Sequence, residues 1–326
     1  MRKKSFLPAA LFIAFFPQLV AGPIVRAQEF FEGLYQWRAP NEEERLRGVL
    51  LMALGLVKKM ALADQFAQIA EAYFQNPSAQ PGMVSAWTGT ASFALQIFFD
   101  FSGYTDMAIG MALLLGFHFP VNFRRPYLAF SITDFWHRWH ISLSRWLRDY
   151  LYIPLGGSRG TVAKTYRNLM LTMLLGGLWH GAAWNFLLWG LFHGAILCVH
   201  RAIAGERGRD AQSTLAHFAA MTGFFAVTCY GWLLFRASSF RQVVQFTQIL
   251  FVDFGNLALT MPMPTFAALV GLPILLLFEI ADYRSGLNQA YSRISPIMKG
   301  AVSAALIFAL LTGTSNAPQQ FIYFQF

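Results

Sequence analysis

Charged residues are scarce in this sequence. Asp, Glu, Lys and Arg make up 13% of its 326 residues, whereas an average soluble domain has roughly 25%. Hydrophobic residues make up 56%, and the mean hydropathy is +0.44. This composition excludes an ordinary soluble domain and predicts an integral membrane protein.

Cysteines are also few. The sequence has no alternation of polar and apolar residues that is typical of strands, and it has no internal repeats. Cys198 and Cys229 both lie in apolar segments, so their number and spacing indicate neither a disulfide framework nor a metal site. The sequence has no series of segments of about ten residues with alternating polarity, which an outer-membrane barrel requires. We therefore predict an all-α fold and, because no long linker or repeat interrupts the chain, one membrane domain over residues 1–326.

Long apolar stretches are present from end to end. A helix needs about 20 residues to cross a bilayer, so we expect about seven to nine membrane passes or half-passes. Arg2, Lys3 and Lys4 precede the first stretch, which lacks a cleavage site, and they favour a cytoplasmic start. The stretches 84–117 and 166–200 are long enough to be bent, paired or re-entrant. In order, the stretches are 5–25, 48–74, 84–117, 166–200, 215–235, 262–281 and 297–313.

The net charge is +9, and most basic residues cluster beside the apolar stretches. The preference for positive residues on the cytoplasmic side explains most of them without any nucleic acid. A second interpretation is that some bind an anionic cosubstrate at the cytoplasmic surface. The residues concerned are Arg124, Arg125, Arg138, Arg145, Arg148, Arg159, Lys164, Arg167, Arg201, Arg207 and Arg209.

The segment 131–152 contains the first of two histidines in apolar surroundings. A capping box that starts at Ser131 predicts one helix over this segment. At about 100° per residue, His140 falls in a broad apolar arc beside Trp136. The helix is predicted to lie at the membrane interface, with His140 pointing inward, although a lone histidine on such a face is more often a packed core residue. The opposite, charged face holds Arg138, Arg145, Arg148 and Asp149.

The second histidine, His180, follows the glycine pair Gly176-Gly177 inside the stretch 166–200. Glycines permit a bend where a neighbouring helix or a cavity satisfies the freed backbone groups, so His180 is placed to reach a polar tunnel. Asn185 follows shortly after and has no obvious structural need there. His193 falls on another side of the helix and is predicted to be a packing or hydrogen-bonding residue.

A third polar cluster, Asp100–Asp106, interrupts the stretch 84–117. Each of its two carboxylates would cost roughly a few kcal/mol if it faced lipid, so they must face the bundle interior, a water-filled cavity or a segment end. Tyr104 lies one turn after Asp100 and can share a hydrogen-bond network with it. The alternative, equally open, is that Gly103 marks a helix end and the carboxylates meet lipid headgroups.

Six motifs follow one another along the chain. They are Phe15–Arg26 (FFPQLVAGPIVR), Asp100–Asp106 (DFSGYTD), Asn122–Tyr127 (NFRRPY), Asp134–Ser144 (DFWHRWHISLS), Arg148–Tyr150 (RDY) and Leu178–Gly181 (LWHG). In this order they resemble the motifs of the membrane-bound O-acyltransferase family, and most closely those of its bacterial branch of alginate O-acetylases and related polysaccharide acetyltransferases. The last residues, FIYFQF, also match. Family members usually carry several more N-terminal membrane helices, so we expect this chain to lack the first ones and to be truncated.

The resemblance implies a polytopic helical enzyme of the bacterial inner membrane, with re-entrant and interfacial helices around a tunnel. An acyl thioester on the cytoplasmic side would meet an acceptor from the other side. The family's embedded histidine corresponds to His180, and its second active-site position corresponds to His140. Acetyl-CoA is the implied donor, with no bound cofactor and no metal. The implied partners are periplasmic polysaccharide-acetylation proteins and membrane lipid.

Acyl transfer to a hydroxyl suits these residues because it needs a base, and a neutral imidazole is a base near physiological pH. We predict that His180 is this base. His140 is predicted to orient a substrate or to stabilise charge on the thioester oxygen. Arg138 and Arg148 are candidates for binding the phosphates of coenzyme A. Further candidates for substrate binding or tunnel lining are Asp100, Tyr104, Asn185 and Trp136.

Two other classes of function stay open. A transporter or channel would use Asp100, Asp106, His140 and His180 as a proton or substrate path, although the chain has no self-similar halves. An inactive scaffold fragment that recruits secreted partners is the other class. The acceptor is also open, because alginate, another exopolysaccharide, peptidoglycan and a lipid-linked glycan all present hydroxyl groups.

Overall fold

The structure is a computed structural model that describes residues 6–204, 214–254, 295–313 and 320–322. Within these ranges the chain consists of helices joined by turns and has no strand. This confirms the predicted all-α fold. The apolar stretch 262–281 lies outside the described residues.

Most helices coincide with the apolar stretches of the sequence. The π-helical segment Lys58–Ala63 joins α3 to α4, and a second one, Arg148–Tyr152, follows α7. The helices are α1 (Phe6–Ala14), α2 (Ala27–Tyr35), α3 (Glu42–Val57), α4 (Asp64–Gln75), α5 (Met83–Leu114), α6 (Ile132–Arg138), α7 (Ile141–Leu147), α8 (Val162–His180), α9 (Trp184–Ala204), α10 (Thr214–Arg236), α11 (Phe240–Val252) and α12 (Pro296–Gly313).

Among the described helices, α5, α9 and α10 are long and apolar enough to cross a membrane. The 32 residues of α5 extend over about 48 Å at 1.5 Å per residue, more than the hydrocarbon core of about 30 Å. The stretch 5–25 differs from expectation. Its helix α1 has nine residues and is about 14 Å long, too short for a full pass.

The chain forms two compact units. Unit 1 comprises the described residues of Met1–Gln65, Gln96–Asn122 and Pro264–Gln325. Unit 2 comprises those of Phe66–Leu95 and Phe123–Met263. Helix α5 contributes residues to both units. One domain over residues 1–326 remains a prediction.

In unit 1, α3 and α5 approach each other at paired glycines. A Cβ atom on Gly103 would lie 2.7 Å from the carbonyl oxygen of Gly55, and one on Gly55 would collide with the carbonyl oxygen of Gly103. Gly48 and Gly110 form a second pair of the same kind. Because small residues let helix backbones touch, this contact brings the polar side chains that follow each glycine within ion-pairing distance.

In unit 2, the apolar stretch 166–200 forms a hairpin of α8 and α9. A Cβ atom on Gly177 would collide with the carbonyl oxygen of Phe186, and one on Gly190 would collide with that of Met173. The two helices therefore pack backbone to backbone on both sides of the turn after His180. Of the three alternatives expected for this stretch, bent, paired or re-entrant, the structure shows the first two. Helix α10 packs against the second limb.

Candidate active site

His140 lies at a break between two short helices rather than inside one helix. The predicted single helix over 131–152 is wrong: α6 ends at Arg138, α7 begins at Ile141, and a π-helical turn follows from Arg148. The cap at Ser131 is confirmed, since its hydroxyl accepts a hydrogen bond from the backbone N–H of Asp134 at 3.2 Å.

At the break between α6 and α7, the side chains of Trp139 and His140 both point into the interior of unit 2. Trp139 is extended (φ −100°, ψ 129°), and its indole stacks on Phe135 at 5.7 Å and touches Trp232 at 4.7 Å. His140 is left-handed (φ 42°, ψ 55°), a conformation that costs about 1–2 kcal/mol for a residue with a side chain. Its side chain is buried, with 3% exposure. His140 therefore points inward as predicted, but because of the break and not because of a helical face.

His180 is the last residue of α8, at the tip of the hairpin. Gly181 follows in an extended conformation, and the imidazole is half-buried. Its ring lies 5.0 Å from Trp179, 5.1 Å from Phe235 and 5.4 Å from Trp189, measured between ring centroids. The glycine-rich break thus places His180 at the tip of the hairpin, partly exposed and in contact with aromatic side chains.

The structure brings the two predicted histidines together. The ring of Trp179 touches both, at 6.2 Å from His140 and 5.0 Å from His180. His140 and His180 also interact electrostatically, because a charge on His180 disfavours a charge on His140. Two residues forty positions apart in the sequence therefore form one cluster in unit 2.

Both imidazoles are neutral near pH 7. Burial lowers the pKa of His140 well below 6.5, and the proximity of His180 lowers it further. Burial alone lowers the pKa of His180 to about 4. Both residues lie outside the three helices that are long enough to cross a membrane. A neutral imidazole can accept a proton, so each ring is in the form that a general base requires.

Two further predicted residues, Asn185 and Trp136, support the aromatic surroundings of His180. The side-chain amide of Asn185 donates a hydrogen bond to the carbonyl oxygen of Phe235 at 2.8 Å. Asn185 therefore has a structural role, contrary to expectation, because it ties the start of α9 to the end of α10. Trp136 is half-buried and touches Trp189 at 5.8 Å and His193 at 5.3 Å. Their contact with substrate remains a prediction.

The two predicted arginines each form an ion pair. Arg138 Nε lies 2.6 Å from Asp134 Oδ1, and Arg148 Nε lies 2.7 Å from Asp149 Oδ1. Arg145 is exposed nearby. To bind a phosphate, Arg138 or Arg148 must therefore either share its guanidinium group between the phosphate and the aspartate or release the aspartate.

Asp100 and Tyr104 lie in unit 1, and Asp100 belongs to a buried polar network there. Asp100 Oδ1 lies 2.9 Å from Lys59 Nζ, and Asp100 Oδ2 accepts a hydrogen bond from the backbone N–H of Ile322 at 2.6 Å. Tyr104 stacks on Phe321 at 4.7 Å. Helix α5 continues through Gly103, so the alternative of a helix end at Gly103 is wrong. Asp100 holds the C-terminal segment, and a substrate role for Asp100 or Tyr104 remains a prediction.

The remaining carboxylate of this cluster, Asp106, is also paired. Its Oδ2 lies 2.9 Å from Lys58 Nζ. The sequence analysis missed Lys58 and Lys59, although each is an ionisable residue within the apolar stretch 48–74 and could have been noticed for that reason. Their partners could not be predicted, because they depend on the contact between α3 and α5. Among the residues that the structure describes, no group of His, Cys, Asp and Glu has a metal-binding arrangement.

The sequence of this chain is similar to those of known membrane-bound acyltransferases. The family model of the membrane-bound O-acyltransferase family matches residues 1–251. A probable alginate O-acetylase AlgI of Pseudomonas aeruginosa is 40% identical over 305 residues, which are 92% of this chain and 56% of that protein. The AlgI of Azotobacter vinelandii is 45% identical over 72% of this chain and 46% of its own length. A peptidoglycan O-acetyltransferase of Helicobacter pylori is 42% identical over 74% of this chain and 46% of its own length. The chain thus spans about half the length of the curated relatives that it matches.

Proposed function

Because the chain belongs to the membrane-bound O-acyltransferase family, we propose that it transfers an acetyl group from acetyl-CoA to hydroxyl groups of an extracytoplasmic polysaccharide. The observation that carries this proposal is the cluster of His140 and His180 around Trp179. The names of the relatives support the acceptor class, since they act on alginate or peptidoglycan. We further propose that the protein is a multi-pass protein of the inner membrane that works with periplasmic polysaccharide-acetylation proteins.

In this mechanism His180 is the general base. Its imidazole accepts the proton of the acceptor hydroxyl while the oxygen attacks the thioester carbonyl carbon. The tetrahedral intermediate collapses as the C–S bond breaks, and the thiolate of coenzyme A takes the proton back from His180. The products are an ester and a free thiol. A positioned base of this kind contributes about 10²–10⁴-fold to a rate.

His140 is proposed to stabilise the oxygen of the intermediate or to orient a substrate. Its burial favours this role, because a hydrogen bond to developing charge is worth more where water is excluded. The fixed left-handed backbone at His140 and the surrounding rings hold the imidazole in place. A preorganised donor costs no rearrangement at the moment of reaction.

The phosphates of coenzyme A are proposed to meet the basic residues of the segment 138–164. Arg138 and Arg148 are each held by an aspartate. Arg145, Arg148, Arg159 and Lys164 are exposed. An arginine can bind a phosphate through two parallel hydrogen bonds. The pairing of Asp100 and Asp106 with lysines gives no support to an unpaired carboxylate path for a transporter.

The test is acetyl transfer in membranes that contain the protein. Labelled acetyl-CoA is supplied with deacetylated alginate or with peptidoglycan, and the wild type is compared with His180→Gln, His140→Ala and His137→Ala. His137 is an exposed histidine of α6 and serves as the matched control. We expect His180→Gln to lose about 10²-fold or more of the rate, His140→Ala to lose a large part of it, and His137→Ala to keep it. Equal rates for wild type and His180→Gln would contradict the base assignment, and substrate flux without transfer would favour a transporter.

A further inference from the structure

The imidazole of His180 is closed on its inner side by three aromatic rings, which we call the aromatic wall: Phe186, Trp189 and Phe235. Their ring centroids lie 6.2, 5.4 and 5.1 Å from that of His180. All three side chains are buried, with 5%, 2% and 2% exposure. They also touch one another, at 4.9 Å between Phe186 and Phe235 and 5.6 Å between Trp189 and Phe235. The three rings therefore pack against the imidazole and against one another on this side.

A second layer of rings packs against Trp189. His193 lies 4.6 Å from it, Trp136 lies 5.8 Å from it, and Trp232 stacks on it at 6.2 Å. The neighbouring Gly190 lies so close to α8 that a Cβ atom there would collide with the carbonyl oxygen of Met173. Backbone and side chains therefore both fix Trp189 in place.

His180 is half-buried at the tip of the hairpin, so a ligand can reach it from there. Trp179 and Trp184 are 52% and 76% exposed there. A thioester that approaches the imidazole from the tip brings its carbonyl carbon close to the ring, and the acyl chain beyond the carbonyl then meets the aromatic wall. A methyl group needs little space beyond the carbonyl, whereas each additional methylene group needs volume that the wall occupies.

We propose that Trp189 limits the donor to a short acyl group and thereby selects acetyl over longer chains. This inference rests on the proposed function, because it concerns the acyl donor of the same site. Trp189 acts as a specificity-determining residue and takes no part in proton transfer. One methylene group too many in a tight pocket lowers a rate by roughly 10- to 200-fold, so the wild type should prefer acetyl-CoA over butyryl-CoA by about 100-fold or more.

The experiment measures transfer rates from acetyl-, butyryl- and hexanoyl-CoA for the wild type, Trp189→Phe and Trp189→Ala. Replacing a buried tryptophan by alanine opens a space on the order of 150 Å³, enough in other proteins to hold benzene. We expect Trp189→Ala to bring the rate ratio between butyryl- and acetyl-CoA close to about one, and Trp189→Phe to give an intermediate ratio. A gain of rate with the longer donors is a result that mere destabilisation does not produce.

Phe246→Ala is the matched control. Phe246 is fully buried in the same unit, but it touches Tyr73 and Phe74 and is not among the rings around His180. This variant should lose stability as Trp189→Ala does and keep the preference of the wild type for acetyl-CoA. A wild type that transfers hexanoyl and acetyl groups at equal rates, or a Trp189→Ala variant that keeps the acetyl preference, would overturn the inference.

A binding measurement separates this inference from the proposed function. Acyl-CoA ketone analogues, in which a CH₂ group replaces the thioester sulfur, cannot transfer their acyl group, and their dissociation constants for the purified protein can be compared by chain length. Acetyl-selective binding that Trp189→Ala abolishes, in a protein without transfer activity, would contradict the proposed function and still support the short-chain limit. Equal binding of all chain lengths by the wild type, or no binding of any, would overturn the limit.

Discussion

Lys59 is the cation that two buried carboxylates share in unit 1. Its Nζ lies 2.8 Å from Asp64 Oδ1 and 2.9 Å from Asp100 Oδ1, and the two carboxylate side chains are only 5% and 2% exposed. Lys59→Met removes this ammonium group and keeps the length of the side chain. Removing one partner of a buried ion pair costs about 3–5 kcal/mol, because the remaining charge stays desolvated. We expect the free energy of unfolding of Lys59→Met to fall by about that amount.

Lys58→Met is the matched control, since it removes the adjacent lysine from the same π-helical segment. Lys58 pairs with Asp106, whose side chain is 20% exposed and is therefore less desolvated than those of Asp64 and Asp100. The expected loss is therefore smaller, about 1–3 kcal/mol. A second variant, Lys59→Met with Asp100→Asn, should recover part of the loss. The amide of asparagine is neutral and can still accept the hydrogen bond from the N–H of Ile322.

The assay is unfolding of the detergent-solubilised protein by denaturant, followed by tryptophan fluorescence. Asp100→Asn alone is measured as well, because the wild type, the two single variants Lys59→Met and Asp100→Asn and their double variant then form a double-mutant cycle. Contacting residues in such a cycle typically show a coupling of about 0.5–3 kcal/mol. If Lys59→Met cost no more than Lys58→Met, or if Asp100→Asn gave no recovery, the shared ion pair would not be the source of stability in this part of the chain.

Two further predictions concern pH and helix contact. Because the pKa of His180 is lowered to about 4, the unfolded chain binds a proton between about pH 4 and 6.5 that the folded chain does not. The free energy of unfolding should therefore fall as the pH drops through this window. The transfer rate should also fall on acidification, with a midpoint nearer pH 4 than 6.5. A midpoint at or above pH 6.5 would contradict a buried neutral base. Gly103→Ala should destabilise by about 1–3 kcal/mol, because its Cβ would lie 2.7 Å from a carbonyl oxygen of α3. Gly223→Ala in α10 has no atom within 4 Å of its Cβ and should stabilise by about 0.5–1 kcal/mol, so equal thermal shifts for the two variants would contradict the glycine contact.

The helical fold could be predicted from the sequence because long apolar stretches indicate membrane helices directly. The stretches 84–117 and 166–200 became α5 and the hairpin of α8 and α9, and the glycines of the second stretch mark where it turns. The segment 131–152 was predicted as one helix and is wrong, because the break falls at Trp139 and His140. Neither is a glycine or a proline, and only a few per cent of other residues adopt a left-handed backbone. Such a break is set by packing of side chains that are distant in sequence.

The histidines of the candidate site could be found from sequence because an ionisable residue stands out in an apolar segment. Their aromatic surroundings could not. Phe, Trp and Tyr make up 16% of the chain, so no pattern distinguishes Trp189 or Phe235 from aromatic residues elsewhere. Lys59 carried the same kind of signal as the histidines, but its role depends on Asp100, which only the contact of α3 with α5 brings near.

The α8–α9 hairpin links the proposed base to the proposed limit on acyl length. His180 ends the first limb, and Trp189 lies nine positions later on the second limb, yet their rings are 5.4 Å apart. Gly177 and Gly190 make this possible because they allow backbone contact between the limbs. Any change that separated the limbs would move Trp189 away from the imidazole and also widen the space for the acyl chain. The proposed base position and the proposed donor selection therefore depend on the same helix contact, so a variant that loosens this contact should weaken both together.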